Sequence, residues 1–486
     1  MVGDWKGVSV RLGAGFAVLA VAGAPAAAQG QLTGQRLSLL PAQVETGPGT
    51  VRLDGMGGFE TAVVDENREV TLLDYGLNPA GFSDDRDSWN LEFRYGHAEY
   101  AERDQRLPGN DLFINEGLAR GGYYAPGKVG VGGQVDYVEV SASDFARSVD
   151  SFRIVGAQGM VNTYLTPKLT IGANLSLSNE SEDVFSRSIY NIDHENTTLR
   201  GGVGAAFVPV RGVKLGARGE LIGTKIDGES RGGFHTDSFE WSRPGRLYSV
   251  HGFIDRGRLA GGFDVTGQGL DGEESVRISW SEKFVFNPTD DVLTGEFDTF
   301  TEDRNNFQFK TRWQVAVTPK LNVSAAVQNG TEDFTVVANP NALGSQIDQE
   351  IETKSNAVIG GGSYTLLRSR LLLAAELKVG STEVTDLTGG TETVNTRDET
   401  TVRVGGEYFF GETFVGRAGV ISTTDDFSLA TNPELDGSFS TTRGAAGIGV
   451  TPAGGIWQFD MALDFDLSSD LDSKQLNFSA YLKHIF

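Results

Sequence analysis

Apolar and polar residues alternate one by one over long stretches of this chain. From Phe307 to Val317 the odd-numbered positions are mainly apolar, whereas the even-numbered positions carry polar side chains such as Lys310 and Arg312. A second alternating run follows Pro319. A period of two predicts β-strands with one apolar and one polar face. Pro319 marks a turn between two antiparallel strands, because proline has no N–H to donate to a β-ladder.

The same hairpin pattern repeats from Ser88 to the C-terminal Phe486, with tight turns alternating with long polar connections. Short turns at one end and long loops at the other are typical of transmembrane β-barrels. The sequence therefore predicts an all-β fold, a closed antiparallel barrel of 18 strands over residues 88–486, with 16 or 20 strands as alternatives. The residues predicted to form the long loops are 179–196, 225–243, 329–354, 380–398 and 422–438.

Charged side chains on the polar strand faces decide which face looks inward. A barrel of this many strands encloses a lumen that is too wide for side chains to fill. We therefore expect the apolar faces to contact lipid and the charged faces to line a wet interior, in preference to a water-soluble all-β protein. The predicted lumen-lining residues are Lys214, Arg218, Glu220, Lys310, Arg312, Asp460, Asp464 and Asp466.

The N-terminus has the features of a secretory signal peptide. Lys6 and Arg11 precede a short apolar run from Leu12 to Ala24, and Ala26-Ala27-Ala28 follows as a small-residue cleavage site. This order of basic, apolar and small residues is that of an exported precursor. We predict that residues 1–28 are a signal peptide and that the mature protein resides in the bacterial outer membrane.

The last predicted strand, Gln475 to Phe486, alternates in the same way and ends on an aromatic residue. It resembles the C-terminal recognition signal of bacterial outer-membrane barrels, although His484 stands where an apolar or aromatic residue is usual. The resemblance implies that Phe486 is an assembly signal. It also implies that the barrel assembly machinery is a partner. From the outer-membrane location we further expect outer-membrane lipid, lipopolysaccharide and a small-molecule substrate as partners.

Composition excludes several classes of function. The net charge of −24 argues against binding of nucleic acid, which needs a basic surface. The chain has no Cys, so disulfides and thiolate chemistry are excluded. Its five His residues show no metal-ligand spacing, and we predict neither a metal nor another cofactor.

Residues Gly228 to Gly232 match the G-x-S-x-G pattern of hydrolases, with Ser230 at the nucleophile position. That chemistry needs a sharp turn from a strand into a helix beneath the serine. Here the match lies in a predicted polar loop with no helical pattern after it, and a glycine-rich chain yields such matches by chance. We therefore predict that the protein is not an enzyme, and a barrel hydrolase is the less favoured alternative.

Residues 29–87 lack the alternation and are predicted to form an N-terminal extension that packs against or inside the barrel. The acidic pair Asp65-Glu66 is followed by Asn78-Pro79-Ala80-Gly81. This segment resembles one in the outer-membrane long-chain fatty-acid (hydrophobic-compound) transport family, whose N-terminal segment folds into the barrel as a hatch. The resemblance implies that Asn78, Pro79 and Ala80 belong to a plug and that the substrates are hydrophobic. Barrels of that family have fewer strands than we predict here.

Together these features predict an outer-membrane channel or transporter for the passive uptake of small molecules, hydrophobic ones included. The alternative is a structural, secretion-associated or assembly-associated outer-membrane protein without transport activity.

Overall fold

A computed structural model gives the fold of the chain. It describes residues 51–63, 80, 87–101, 110–125, 127–144, 148–186, 190–232, 236–274, 279–283, 292–340, 347–387, 392–429, 437–452, 455–469 and 473–486. The predicted signal peptide, Asn78 and Pro79 lie outside the described residues.

The described chain is almost entirely β-structure. One short helix, α1, spans Val51–Asp54, and a 3-10 turn spans Leu367–Ser369. No helix in the described ranges is long and apolar enough to cross a membrane. The strand segments are β1 Ser88–Ala101, β2 Asn110–Ala125, β3 Val129–Asp144, β4 Ser148–Thr166, β5 Leu169–Ser186, β6 Tyr190–Phe207, β7 Val213–Gly232, β8 Thr236–Asp255, β9 Leu259–Glu274, β10 Ser279–Lys283, β11 Val292–Thr318, β12 Leu321–Pro340, β13 Ile347–Leu366, β14 Leu371–Asp386, β15 Thr393–Phe409, β16 Phe414–Leu429, β17 Gly437–Val450, β18 Trp457–Ser469 and β19 Ser473–Ile485.

These segments form one closed antiparallel barrel. Each strand except β9 pairs with the next along the chain, and β19 returns to pair with β1 from Ser88↔Ile485 to Tyr100↔Ser473. β9 and β10 both pair with β8 on one side and with β11 on the other. They therefore lie end to end in a single strand position of the barrel. The described segments therefore occupy 18 strand positions, as predicted from the sequence. The 20-strand alternative is wrong because residues 279–283 and the start of β11 lengthen existing positions and add no new strand position.

The outer surface of the barrel carries the apolar strand faces. In β14, Leu373, Leu377 and Val379 are exposed, whereas Ala374 and Glu376 between them are buried inside the barrel. The same alternation runs around the wall, where Leu175, Val203 and Leu221 are 60%, 67% and 76% exposed. Such a continuous apolar surface marks contact with a membrane. A closed barrel with an apolar outer band is the architecture of outer-membrane proteins, and the chain is an outer-membrane β-barrel.

The strands continue well beyond this apolar band. A tilted β-strand crosses the bilayer in about 9–11 residues, but β14 has 16 residues and β13 has 20. On β14 the outward positions become polar at Ser381 and Glu383, and on β13 they become polar at Asn356 and Lys354. Beyond the apolar band, the wall is therefore still a ladder of paired strands, but its outer side chains are polar.

This extension corrects the prediction of long loops. Residues 179–186 and 190–196, for example, belong to β5 and β6, and only residues 187–189 lie between these strands. Apolar alternation ends at the edge of the membrane, because lipid no longer selects apolar side chains there. Backbone hydrogen bonds between strands do not depend on that selection, so the ladder continues where the sequence pattern stops.

Aromatic side chains cover the seam at which the barrel closes. The ring of His484 lies 4.3 Å from the ring of Trp457 and 4.7 Å from that of Phe486, measured between centroids. Trp89 of β1 contacts Trp457, and the N–H of Phe486 donates to the carbonyl oxygen of Asp87 at 2.9 Å. His484 thus occupies an aromatic site, which accounts for a ring at this position. The role of Phe486 as an assembly signal stays a prediction.

Candidate functional site

Residues 51–63 lie inside the barrel and are called the inner segment below. After α1 the chain reverses at Gly57 and Gly58, which have φ values of +106° and +66°. The N–H of Gly58 donates to the carbonyl oxygen of Leu53 at 2.8 Å and caps the helix. Glycine is favoured at such left-handed positions because it has no Cβ.

Apolar side chains of the inner segment pack against the inner face of one strand. Its buried apolar residues form a cluster with Ala374 of β14, and Leu372 packs at the edge of this cluster. Removal of such side chains from water contributes about 1.5–3 kcal/mol for each large one. The apolar members from the inner segment are Leu53, Met56, Phe59, Ala62 and Val63.

Glycines of the barrel wall let the inner segment approach the strands closely. A Cβ atom at Gly405 of β15 or Gly419 of β16 would overlap the carbonyl oxygen of Met56. A Cβ at Gly447 of β17 would lie 2.9 Å from the Cα of Gly55. The backbone of the inner segment therefore rests directly on the backbone of three neighbouring strands.

The carboxylate of Glu376 on β14 binds the backbone of the inner segment. Its Oε2 accepts the N–H of Thr61 at 2.7 Å, the N–H of Ala62 at 3.0 Å and the hydroxyl of Thr61 at 2.9 Å. Its Oε1 accepts the N–H of Glu60 at 3.1 Å and Nη1 of Arg403 at 2.9 Å. Nη2 of Arg403 also pairs with Glu60 at 3.0 Å. A buried charge is thereby fully compensated, as such a charge must be.

A second network of charges holds the helical end. Arg52 donates through Nε and Nη2 to both carboxylate oxygens of Glu407 on β15. Glu407 also accepts Nε of Arg417 at 3.4 Å, and Nη1 of Arg417 pairs with Asp460 at 2.5 Å. The bidentate geometry of Arg52 and Glu407 fixes orientation as well as charge.

Further polar contacts extend the site along the wall. Nε2 of Gln314 on β11 donates to the carbonyl oxygens of Thr61 and Val63, at 2.6 and 3.0 Å. Asp54 pairs with Arg94 of β1 at 3.3 Å and accepts the hydroxyl of Ser479 on β19 at 3.1 Å. The described inner segment is therefore bound to the part of the wall that runs from β11 through β19 to β1.

The buried carboxyl group of Asp54 predicts that attachment of the inner segment depends on pH. Burial raises the pKa of Asp54 above its usual value, although Arg94 opposes the shift. A raised pKa means that the carboxyl group of Asp54 stays protonated to a higher pH when the segment is bound than when the segment is released into water. A free Asp side chain has a pKa of about 4. Attachment should therefore weaken as the pH rises from that value through the raised pKa of Asp54. Asp54→Asn should reduce this dependence, which conductance between pH 4 and 8 would measure, and identical pH profiles for the two proteins would contradict it.

The predicted lumen residues of β7 lie on the inner face of that strand. Arg218 and Glu220 are buried and 3.4 Å apart, and Nδ2 of Asn174 donates to Glu220 at 2.7 Å. Lys214 lies on the same face of β7, because it is separated from Arg218 and Glu220 by even numbers of residues. Leu215 and Leu221 lie on the other face and are exposed.

The other predicted residues lie on inner faces as well, and one of them joins the network of the inner segment. Arg312 is buried on the face of β11 that carries Gln314, and Lys310 shares that face. On β18, Asp460 pairs with Arg417, and Asp464 pairs with Arg443 at 2.8 Å. The last two predicted positions are placed as follows: Asp466 shares the face of Asp464, and Ala80 is buried.

Sequence reasoning missed the residues that contact the inner segment most closely. Glu376 and Arg403 are charged residues in runs of alternating polar and apolar residues, so the sequence could have assigned both to an inner strand face. Nothing in the sequence pairs either one with Glu60, which lies more than 300 positions away. Gly405 and Gly419 are indistinguishable by pattern from the many other glycines of the wall.

The G-x-S-x-G match does not form a nucleophile elbow. Residues 228–232 lie within β7, where residues 228–231 pair with both β6 and β8 and Gly232 pairs with β6. An extended strand lacks the sharp turn that exposes a catalytic serine.

Comparisons with known proteins give distant structural similarities only. No protein-family model and no curated protein matches the chain. It is similar to the Pseudomonas putida toluene transporter TodX, with 13% identity, a TM-score of 0.35 and coverage of 90% of this chain and 96% of that one. It is also similar to a Pseudomonas aeruginosa FadL homologue, with 10% identity, a TM-score of 0.38 and coverage of 90% of this chain and 98% of that one. A third similar structure is the ferric-catecholate import receptor Fiu of E. coli K12, with 8% identity, a TM-score of 0.36 and coverage of 82% of each chain. Similarities this low do not assign a substrate.

Proposed function

We propose that the protein is an outer-membrane channel for small molecules and that the inner segment acts as its plug. The observation that carries this proposal is the attachment of residues 51–63 to the inner wall, through buried charges and close backbone contacts. A segment with only a structural role in the wall would not need a glycine-lined seat inside the lumen. Passage is passive in this proposal, and it requires displacement or rearrangement of the inner segment.

The inner face supports a mixed selectivity. The charged positions named above give it both signs of charge, and the ion pairs Lys378–Glu399 and Arg397–Asp425 add to them above the inner segment. Rings of charged side chains set selectivity in pores. We include the eight predicted lumen residues, Lys214, Arg218, Glu220, Lys310, Arg312, Asp460, Asp464 and Asp466, in this lining.

An apolar patch on the same face favours hydrophobic molecules among the solutes. Phe334 of β12 is the direct cross-strand neighbour of Ile351 of β13, and Val384 lies on the adjacent strand β14. All three side chains are buried on the inner side, beyond the height at which the outer face becomes polar. They make this part of the inner wall apolar, which favours hydrophobic over charged solutes.

Deletion of residues 51–63 should increase single-channel conductance severalfold in planar bilayers, because the segment and its ion pairs would leave the lumen. Deletion of residues 29–87 should increase it at least as much. The heat-modifiable band on a gel would verify that both deletion variants still form barrels. Equal, negligible conductance of the wild type and both folded variants would contradict a channel and favour a structural or assembly role.

A further inference from the structure

We propose that Glu376 is the latch of the inner segment: residues 60–62 and Arg403 form a binding cradle for a carboxylate, and the side chain of Glu376 is its resident ligand. The inference rests on the proposed plug function and deepens it, because it names the contact at which the segment is released. Glu376 is a positioning residue that acts on the inner segment.

The cradle has the composition of an anion site. Three consecutive backbone N–H groups, from Glu60, Thr61 and Ala62, converge on one carboxylate. Successive N–H groups that point into one concavity form a nest, which binds anions. The hydroxyl of Thr61 and the guanidinium of Arg403 complete the five donors to the carboxylate.

Burial of the cradle makes it costly to leave its donors without an anion. The side chain of Glu376 is fully buried, and the side chain of Arg403 is only 13% exposed. Arg403 bridges Glu376 and Glu60 and thus joins the wall to the inner segment. Removal of the carboxylate would leave buried N–H groups without an acceptor, whereas release of the segment would return them to water.

Other contacts of the inner segment lack this combination. The apolar cluster is non-directional, and the pair of Arg52 and Glu407 holds one side chain rather than the backbone. Gln314 does bind the backbone, but through the carbonyl oxygens of Thr61 and Val63 and with a neutral side chain. Glu376 alone among the described wall residues accepts several backbone N–H groups of the inner segment. Its loss should therefore loosen residues 60–63, which Gln314 alone would then hold by their carbonyl groups, even where the helical end stays attached.

The absence of cysteine from the chain allows a direct test of release. In Val63→Cys the new thiol replaces a side chain that is 1% exposed, and its reaction with a membrane-impermeant maleimide should be slow. Adding Glu376→Ala should increase the reaction rate at least about 10-fold, because several hydrogen bonds to a charged group are lost together. Glu399→Ala is the matched control: it removes another inner-wall carboxylate, one that pairs with Lys378 and Arg397, and should leave the rate unchanged.

Acetate separates loss of the latch from general disruption of the wall. Glu376→Ala removes two carbons and the carboxylate oxygens, which together have the shape of acetate. Sodium acetate should slow the maleimide reaction of the Glu376→Ala variant again, whereas sodium chloride at equal ionic strength should not. Unchanged reactivity in Glu376→Ala, or equal effects of acetate and chloride, would overturn the proposal.

Conductance of the same variants distinguishes the two levels of the argument. An increased maleimide rate together with increased conductance supports both the latch and the channel. An increased rate in Glu376→Ala, combined with unchanged conductance on deletion of residues 51–63, supports the latch and contradicts occlusion by the inner segment. An unchanged rate in Glu376→Ala, combined with a conductance increase on deletion of residues 51–63, overturns the latch and leaves the plug in place.

Discussion

Gly419→Ala is expected to release the inner segment from the wall and to increase conductance. The added Cβ would overlap the carbonyl group of Met56 and lie 2.7 Å from the backbone nitrogen of Gly57. A backbone carbonyl has no rotamer that relieves the overlap, so the segment itself must move. Overpacking of this kind costs about 1–3 kcal/mol, enough to shift the ratio of released to bound segment roughly 5- to 150-fold. Planar-bilayer recordings would measure the change in open probability.

The control for this substitution is Gly360→Ala on β13. A Cβ at Gly360 meets no atom within 4 Å, so this change adds the same methyl group to the wall without touching the inner segment. Adding Gly405→Ala to Gly419→Ala should increase the effect, because both positions face the same carbonyl oxygen. A conductance of Gly419→Ala equal to that of Gly360→Ala would show that the close approach does not hold the segment.

Leu377→Arg is expected to destabilise the barrel by about 2–4 kcal/mol, the effect of an arginine on the lipid face near the bilayer midplane. Leu377 is exposed on the outer face of β14, within the apolar positions that run from Leu371 to Val379. A guanidinium there has no water and no partner in the hydrocarbon region. Urea titration of protein refolded in lipid, followed by tryptophan fluorescence, would measure the change in unfolding free energy.

Ser381→Arg supplies the matched control on the same strand and face, four residues farther from the membrane centre. Ser381 is exposed and lies opposite Asp398 of β15, which would pair with the new guanidinium. We expect its unfolding free energy to change by no more than about 0.5 kcal/mol, as for ordinary surface substitutions. Similar destabilisation by both substitutions would place the edge of the membrane higher than the polar outer positions indicate.

The period-two pattern was sufficient for the fold because it has one physical cause at every strand. Side chains of a β-strand alternate between lipid and lumen, so positions such as Leu175 and Leu221 could be assigned to the outer face without knowledge of their neighbours. The number of strands followed from the tight turns. The extent of the strands did not, because beyond the membrane both faces contact water and the pattern that marks a strand is lost.

The candidate site could be predicted only in part, for a reason of the same kind. Parity alone placed Asp460 on an inner face, and the structure adds that it pairs with Arg417. The cradle around Glu376 has no local signature, because its donors are backbone N–H groups, which every residue except proline carries. Which backbone meets that carboxylate depends on where a separate segment lies in three dimensions.

The sequence by itself determined the class of this protein: an alternating, acidic, cysteine-free chain that closes into an 18-strand barrel with its apolar faces outward. Only the tertiary structure decided that residues 51–63 lie inside and which wall residues hold them. Arg52 and Glu407 are 355 positions apart, and Thr61 and Glu376 are 315 apart. Alternation is a local consequence of strand geometry, whereas such contacts depend on barrel closure and strand register, which bring distant residues together without leaving a periodic trace.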